Sequence, residues 1–333
     1  MPASDDTDTL ADLGELGLIA RAASLPPLRA DVRIGIGDDC AVLREPDGSA
    51  LLVTTDALME GIHFRRDWSS AESIGHKALA VNLSDVAAMG GEPVAAFLAF
   101  SAPADLPVSW VDGFLAGLRA LAARHGVDLL GGDTTGSRGP VALCLTVLGR
   151  APMANVRLRS GARPGDLLVV SGRLGEAAKA VHVLTGGGAC PDALRRRLEW
   201  PEPRVATGRI LGASSACTAL MDLSDGLGSD LQKLTAASGV GARVIVDRVP
   251  VSDALVAACG GDHAAATNWA LRGGDDYELL GTWARDVALP VLPDVELSVI
   301  GEVEEGQGVR WVDERGQAVD GPSAGFDHFG AGA

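Results

Sequence analysis

The chain has 333 residues, more than one hydrophobic core usually organises, so two domains are the default expectation. Hydrophobic residues make up 47% and charged residues 22%, which fits a folded soluble protein and excludes disorder as its main state. A formal net charge of −16 argues against nucleic acid or an anionic membrane as partner, and any phosphate ligand would need an intermediary cation.

In chain order, Leu10 to Ala23 reads as an amphipathic helix, with Leu13, Leu16, Ile19 and Ala20 near helical spacing and a stop at Pro26-Pro27. Short β-rich runs follow at Cys40 to Leu43 and Leu51 to Thr55. Ser69 and Glu72 form a capping box for a helix that runs to about Met89 and ends at Gly90-Gly91. Lys77 is assigned to the solvated face of that helix. Val94 to Phe100 reads as a strand, and Pro107 to His125 as a helix closed by Gly126. Strands at Val127 to Leu130 and Val141 to Leu148 complete a first half, 1–150. Apolar periodicity then lapses between Arg150 and Pro164, and 151–333 is taken as a second domain.

In that second half, Leu167 to Val170, the run into Met221, Arg243 to Val246 and Asp276 to Thr282 read as strands. Gly175 to Leu184, Arg204 to Leu211 and a segment from Asp225 read as helices. The irregular strand spacing indicates an α/β or α+β class rather than a simple βαβ array. The five cysteines form no C-x-x-C pair, which fits reduced thiols. Met1 to Asp12 carries acids rather than a basic and then apolar run, and no stretch of about 18 apolar residues occurs. The expected location is the cytoplasm.

Six segments place aspartates beside glycine, serine or threonine: Gly35 to Asp39, Thr54 to Asp56, Asn82 to Asp85, Gly131 to Thr135, Asp222 to Gly226 and Gly273 to Glu278. Each alone reads as a turn or a helix cap. Together they follow apolar runs, and strand ends are where ligand sites of open sheets collect. Converging carboxylates repel one another unless a hard cation joins them, and Mg²⁺ bridged to phosphate would resolve the charge. No G-x-x-x-x-G-K-[ST] loop, H-R-D or D-F-G occurs, so metal and backbone would have to hold a nucleotide's phosphates.

The same residues carry a resemblance. Gly35-Ile36-Gly37-Asp38-Asp39-Cys40-Ala41, Thr54-Thr55-Asp56, Gly61-Ile62-His63-Phe64 and Lys77 to Asp85 stand in the order found in bacterial thiamine-monophosphate kinases. So do Gly131-Gly132-Asp133-Thr134-Thr135, Arg159 to Asp166, Met221 to Leu227 and Gly325-Phe326-Asp327-His328-Phe329. The chain resembles that family from Gly35 to Phe329.

The resemblance implies a two-domain fold of the aminoimidazole-ribonucleotide synthetase type, whose N-terminal domains pair across a homodimer to build a β-barrel. It implies a magnesium-dependent transfer from ATP to thiamine monophosphate. Asp39, Thr54, Thr55, Asp56, Asp85, Asp133, Asp222 and Asp225 would then surround several Mg²⁺ ions. Arg159, Ser224, Gly132 and Asp133 would contact ATP, and His63, Asp275 and Phe326 would lie on the thiamine phosphate side. The family usually reads Gly-Gly-Glu-Asp-Tyr-Glu where this chain has Gly273-Gly274-Asp275-Asp276-Tyr277-Glu278, so the Asp275 carboxylate is one methylene shorter. No residue is assigned as a proton-transfer base.

Two other classes of protein share part of this pattern. Superfamily enzymes acting on a ribonucleotide, selenide or a carbamoyl group are the nearest, although Cys40 follows Asp39 instead of preceding a lysine as the selenide enzyme's reactive residue would. A calcium-binding module is the other, and its D-x-[DN]-x-[DN]-G signature is absent.

Overall fold

The structure is a computed structural model and describes residues 9–24, 27–293 and 295–322. Its first half runs α1 (Leu10–Ala23), β1 (Val32–Ile34), β2 (Ala41–Arg44), β3 (Ser49–Met59), α2 (Ala71–Ala88), β4 (Glu92–Ala102), α3 (Val108–His125), β5 (Asp128–Gly136) and β6 (Ala142–Pro152). The second continues with β7 (Leu167–Ser171), α4 (Glu176–Thr185), α5 (Asp192–Glu199), α6 (Val205–Ala213), β8 (Cys217–Asp222) and α7 (Leu227–Ser238). It ends with β9 (Gly241–Ile245), α8 (Asp253–Ala258), α9 (His263–Arg272), β10 (Leu279–Trp283), β11 (Leu297–Glu304) and β12 (Gly308–Val312).

The strands form two six-stranded sheets, ordered β1-β2-β3-β6-β4-β5 and β12-β9-β11-β7-β10-β8. Only β4 with β5 and β9 with β12 pair in parallel; every other neighbouring pair is antiparallel. Antiparallel neighbours need no regular crossover helix, which is why the strand spacing along the chain is uneven. A mixed α/β fold in two domains is the result.

Helix α2 is where the two domains meet. Its Ala- and Leu-rich run favours helix, and every residue from Ser73 to Ser84 is buried, as expected for a helix covered on all sides. Against α3 the backbones almost touch: a Cβ at Gly75 would sit 1.9 Å from the Phe114 carbonyl, and one at Gly117 1.8 Å from that of Glu72. The opposite side of α2 meets β8 and α6. One apolar core therefore contains Leu79, Leu83 and Phe114 together with Leu220 and Leu279 of the second sheet. Such a continuous apolar core holds the domains as one unit. A second core, with Leu168, Leu231 and Ile300, lies within the second domain.

Several expectations need correction. The cap of α2 is Ser70, whose hydroxyl accepts the Ser73 N–H at 3.1 Å, and not Ser69 with Glu72. Lys77 is not solvated but buried, 5% exposed. Thr54 to Asp56 and Gly131 to Thr135 are not turns at strand ends; they lie inside β3 and β5. Ladder pairing overrides the poor strand propensity of the aspartates and glycines, as with Asp56 opposite Leu145. Helix α1 forms over the expected residues, but Gly14 kinks it at φ 68° and none of its residues is buried.

Candidate active site

Three aspartates from distant parts of the chain converge at the domain junction. Asp39 stands just before β2, Asp85 in the last turn of α2, and Asp222 at the end of β8. One oxygen of each lies within 4.8 Å of the others. Thr54, on the face of β3 that packs inward, donates to Asp85 Oδ2, and Ser84 Oγ donates to Asp222 Oδ2 at 2.6 Å. Arg159 Nε donates to Asp39 Oδ1 at 3.2 Å, with Nη2 on the same oxygen. Asp39 Oδ2 is buried and has no hydrogen-bond partner among the described residues.

The electrostatics are those of an incomplete site. Burial, reinforced by Asp56, Asp222 and Asp39, pushes the Asp85 carboxyl well above its ordinary range. Burial, with Asp39 beside it, does the same to Asp222. Burial also raises Asp39, against the opposing pull of Arg159. Asp56 is lifted to about 6 by burial and then by Asp39 and Asp225, and Asp38 to about 6 by burial and Asp39. Two ionised carboxylates at this spacing repel by roughly 3 kcal/mol at an effective dielectric constant near 20. One guanidinium does not offset a cluster of that size. The donors are all hard oxygens and one of them is buried and unpartnered, so the residues fit a hard divalent cation such as Mg²⁺.

The remaining candidates are distributed around this cluster. Thr55 turns to the other face of β3 and donates to the Leu145 carbonyl at 3.0 Å, so its hydroxyl does not join the aspartates. Asp225 is paired with Lys233, which also reaches Asp230 Oδ1 at 2.8 Å. Ser224 is exposed, and its carbonyl accepts the Asp275 N–H at 2.8 Å. Gly132 and Asp133 lie on β5, exposed along its whole length and separated from β3 by β6 and β4. Within one chain they stand apart from the cluster. Phe326 lies outside the described residues.

Next to the cluster opens a cleft of about 270 Å³ between the domains, lined in part by Ile62, His63, Trp68, Lys77 and Asp275. His63 Nδ1 accepts the Met59 N–H at 3.0 Å, which orients the ring at the rim. Asp275 is held by Lys77 Nζ at 2.7 Å on Oδ2 and by the Tyr277 hydroxyl at 2.9 Å on Oδ1. Asp275 and Tyr277 have φ of 67° and 50°, backbone that costs about 1–3 kcal/mol per residue outside glycine and persists only where surroundings enforce it. The enforcement is visible: the loop is laced to the Asp222 segment by the Asp275 N–H and by the Tyr277 N–H to the Leu223 carbonyl at 2.9 Å. Only glycine permits this approach, since a Cβ at Gly274 would lie 2.4 Å from the Ser224 carbonyl.

Sequence reasoning missed Lys77, Tyr277, Asp38 and Lys233. A signal for Lys77 did exist: it precedes Ser84 and Asp85 by seven and eight residues, the spacing of one helix face. Nothing in the sequence pairs it with Asp275, 198 residues away.

Comparison with known proteins fits this geometry. Residues 37–151 match the AIR synthase related protein, N-terminal domain, and residues 163–282 the corresponding C-terminal domain. The thiamine-monophosphate kinase of Salmonella typhimurium is 40% identical over 95% of this chain and 98% of its own length. The solved structure of AaThiL complexed with AMPPCP and TMP superposes with a TM-score of 0.85 at 33% identity, covering 97% of this chain and all (100%) of that one. The crystal structure of thiamine-monophosphate kinase from Stenotrophomonas maltophilia gives a TM-score of 0.74 at 39% identity, with 91% and 96% covered.

Proposed function

The chain belongs to the thiamine-monophosphate kinase family, and we propose that it transfers the γ-phosphoryl group of ATP to thiamine monophosphate, yielding ADP and thiamine diphosphate. The observation that carries this reading is the Asp39, Asp85 and Asp222 cluster, set beside a cleft whose wall is tied by backbone hydrogen bonds to the Asp222 segment. Such a layout serves two polyanions that must meet in line.

Asp39, Asp85 and Asp222 would hold Mg²⁺, with Thr54, Asp56 and Asp225 close by. When bound, Mg²⁺ supplies charge neutralisation to the triphosphate and fixes its approach. The chain's own residues do the rest. Arg159 and Ser224 stand at the nucleotide end, Arg159 steadying Asp39 as well. His63 and Asp275 stand at the acceptor end, in the wall of the cleft. The acceptor is a phosphate monoester with a second pKa of about 6, so its oxygen is mostly deprotonated at neutral pH. No protein base has to take a proton from it, and direct in-line transfer follows without a phosphoenzyme.

We further propose a homodimer built through the first sheet. Its edge strand β5 is exposed throughout, and Phe97, Leu129 and Leu130 present apolar surface there. Pairing two copies on this face, as a barrel, would cover that surface and bring Gly132 and Asp133 of one copy to the phosphates of the other. We place the division between the sheets after β6, which ends at Pro152, and before β7, which begins at Leu167, just beyond the expected break at residues 150 and 151. Among the described residues no helix is long and apolar enough to cross a membrane, and we propose the cytoplasm, where ATP is at hand, as the location.

The test is a phosphorus NMR time course with protein, ATP, Mg²⁺ and thiamine monophosphate. Thiamine diphosphate and ADP should appear together, and only in the complete mixture. ADP formed without acceptor, or a trapped phosphoaspartate, would contradict the mechanism.

A further inference from the structure

We propose that Lys77 is a positioning residue for the acceptor: its ion pair with Asp275 crosses from one domain to the other and fixes that carboxylate in the wall of the cleft. The inference rests on the assignment of the cleft to thiamine monophosphate.

The exposures of the two partners differ in a telling way. The Lys77 side chain is 6% exposed and that of Asp275 31%, so the lysine is hidden behind a carboxylate that faces the cleft. Burying an ammonium is costly unless a charge partner and hydrogen bonds compensate it. Helix α2 needs no charge there for packing, since Ile74 and Val81 on the same side are buried apolar residues. The ammonium is retained where it meets Asp275, an acidic side chain of the opposite domain in the wall of the same cleft.

Asp275 is over-determined. Lys77 holds Oδ2, the Tyr277 hydroxyl holds Oδ1, and the main chain is pinned at Ser224 and Leu223 with positive φ at residues 275 and 277. A carboxylate one methylene shorter than the family's usual glutamate has little reach of its own. Its place is set by what grips it, and Lys77 is the grip supplied by the other domain. Removing the ammonium leaves the Tyr277 bond but frees Oδ2 to rotate away from the substrate. The thiazolium and aminopyrimidine of the acceptor would then lose a pre-aimed anionic partner, while the triphosphate site would be untouched.

The experiment is steady-state kinetics on Lys77→Met, Lys77→Arg, Asp275→Asn and the double variant Lys77→Met/Asp275→Asn, with thiamine monophosphate and ATP varied separately. Lys77→Met should raise KM for thiamine monophosphate about 10-fold, with kcat and KM for ATP within about 2-fold of wild type. Lys77→Arg, which keeps a cation, should recover most of the loss. The double variant should be no worse than Asp275→Asn alone, because the lysine acts through that carboxylate. Additive losses, or a fall in kcat with KM unchanged, would overturn the proposal. If Lys77→Met does not fold, Lys77→Arg and Asp275→Asn decide: Asp275→Asn must raise KM for the acceptor alone, and Lys77→Arg must stay close to wild type. No turnover by wild-type protein would overturn the proposed function itself, and this inference with it.

Discussion

Two groups of buried acids meet at neighbouring strand ends, Glu278 just before β10 and Asp222 at the end of β8, and the protein treats them in opposite ways. Glu278, fully buried, is bonded by Arg204 Nε at 2.7 Å, by Arg197 Nη2 at 2.8 Å and by the Ser171 hydroxyl. Arg197 reaches on to Glu176, which also accepts from Ser252 at 2.6 Å. Both glutamates have arginine partners, while Asp276 close by keeps one buried oxygen, Oδ2, unpartnered. By contrast, Asp39, Asp85 and Asp222 share one guanidinium and leave a buried oxygen unsatisfied. A satisfied network fixes structure, whereas an unsatisfied one stores a demand for something the chain does not contain. The contrast separates acids that hold the fold from acids arranged to hold a cation.

The largest effect that could break the comparison is on the paired side. Glu278→Ala strands two arginines in the interior and should destabilise the protein by about 3–5 kcal/mol, read by chemical denaturation. A change below about 1 kcal/mol would mean that Glu278 is not the keystone described here. On the unpaired side the sign should invert. Asp222→Asn removes a repelling charge, so without metal its melting temperature should equal or exceed that of wild type. Its turnover should nevertheless fall by about 10²- to 10³-fold, the loss expected when charge stabilisation at a phosphoryl centre is removed. A metal-free protein that becomes less stable would place Asp222 with the structural acids.

The smallest effect sharpens the same contrast through pH. Asp56 and Asp38 are raised from 3.8 to about 6 in the folded chain, so the folded state binds protons that the unfolded state has lost. Their contribution to stability is complete below about 4 and is lost as pH rises through about 6. Metal-free protein should therefore melt lower at pH 8 than at pH 5, by a few degrees, and Mg²⁺ should add more at pH 8. Equal shifts by Mg²⁺ at both pH values would separate these carboxylates from the cation site.

Much of this was legible in the sequence, for stated reasons. Aspartates beside small residues pointed to the cluster because six such segments follow apolar runs, although each alone suits a turn. Asn82-Leu83-Ser84-Asp85 and Asp222-Leu223-Ser224-Asp225 look alike, yet they are not a repeat. The first lies within α2 and contributes its last residue to the cluster; the second contributes its first residue, at a strand end. The two segments meet instead, through Ser84 and Asp222. What stayed hidden depends on long-range closure. The sequence reading put Lys77 in solvent because helical spacing alone does not say which face a second domain covers. The β run was expected to end at Thr55, short of Asp56, because local propensity does not register the β6 ladder opposite.

Asp39, Asp85 and Asp222 are proposed to form a divalent cation site whose charge the fold leaves unbalanced. Mn²⁺ titration followed by electron paramagnetic resonance, on wild type and Asp222→Asn at neutral pH, measures this. Wild type should remove the free Mn²⁺ signal saturably, and the variant should leave a signal close to that of buffer. Equal binding by both proteins would contradict the proposed site.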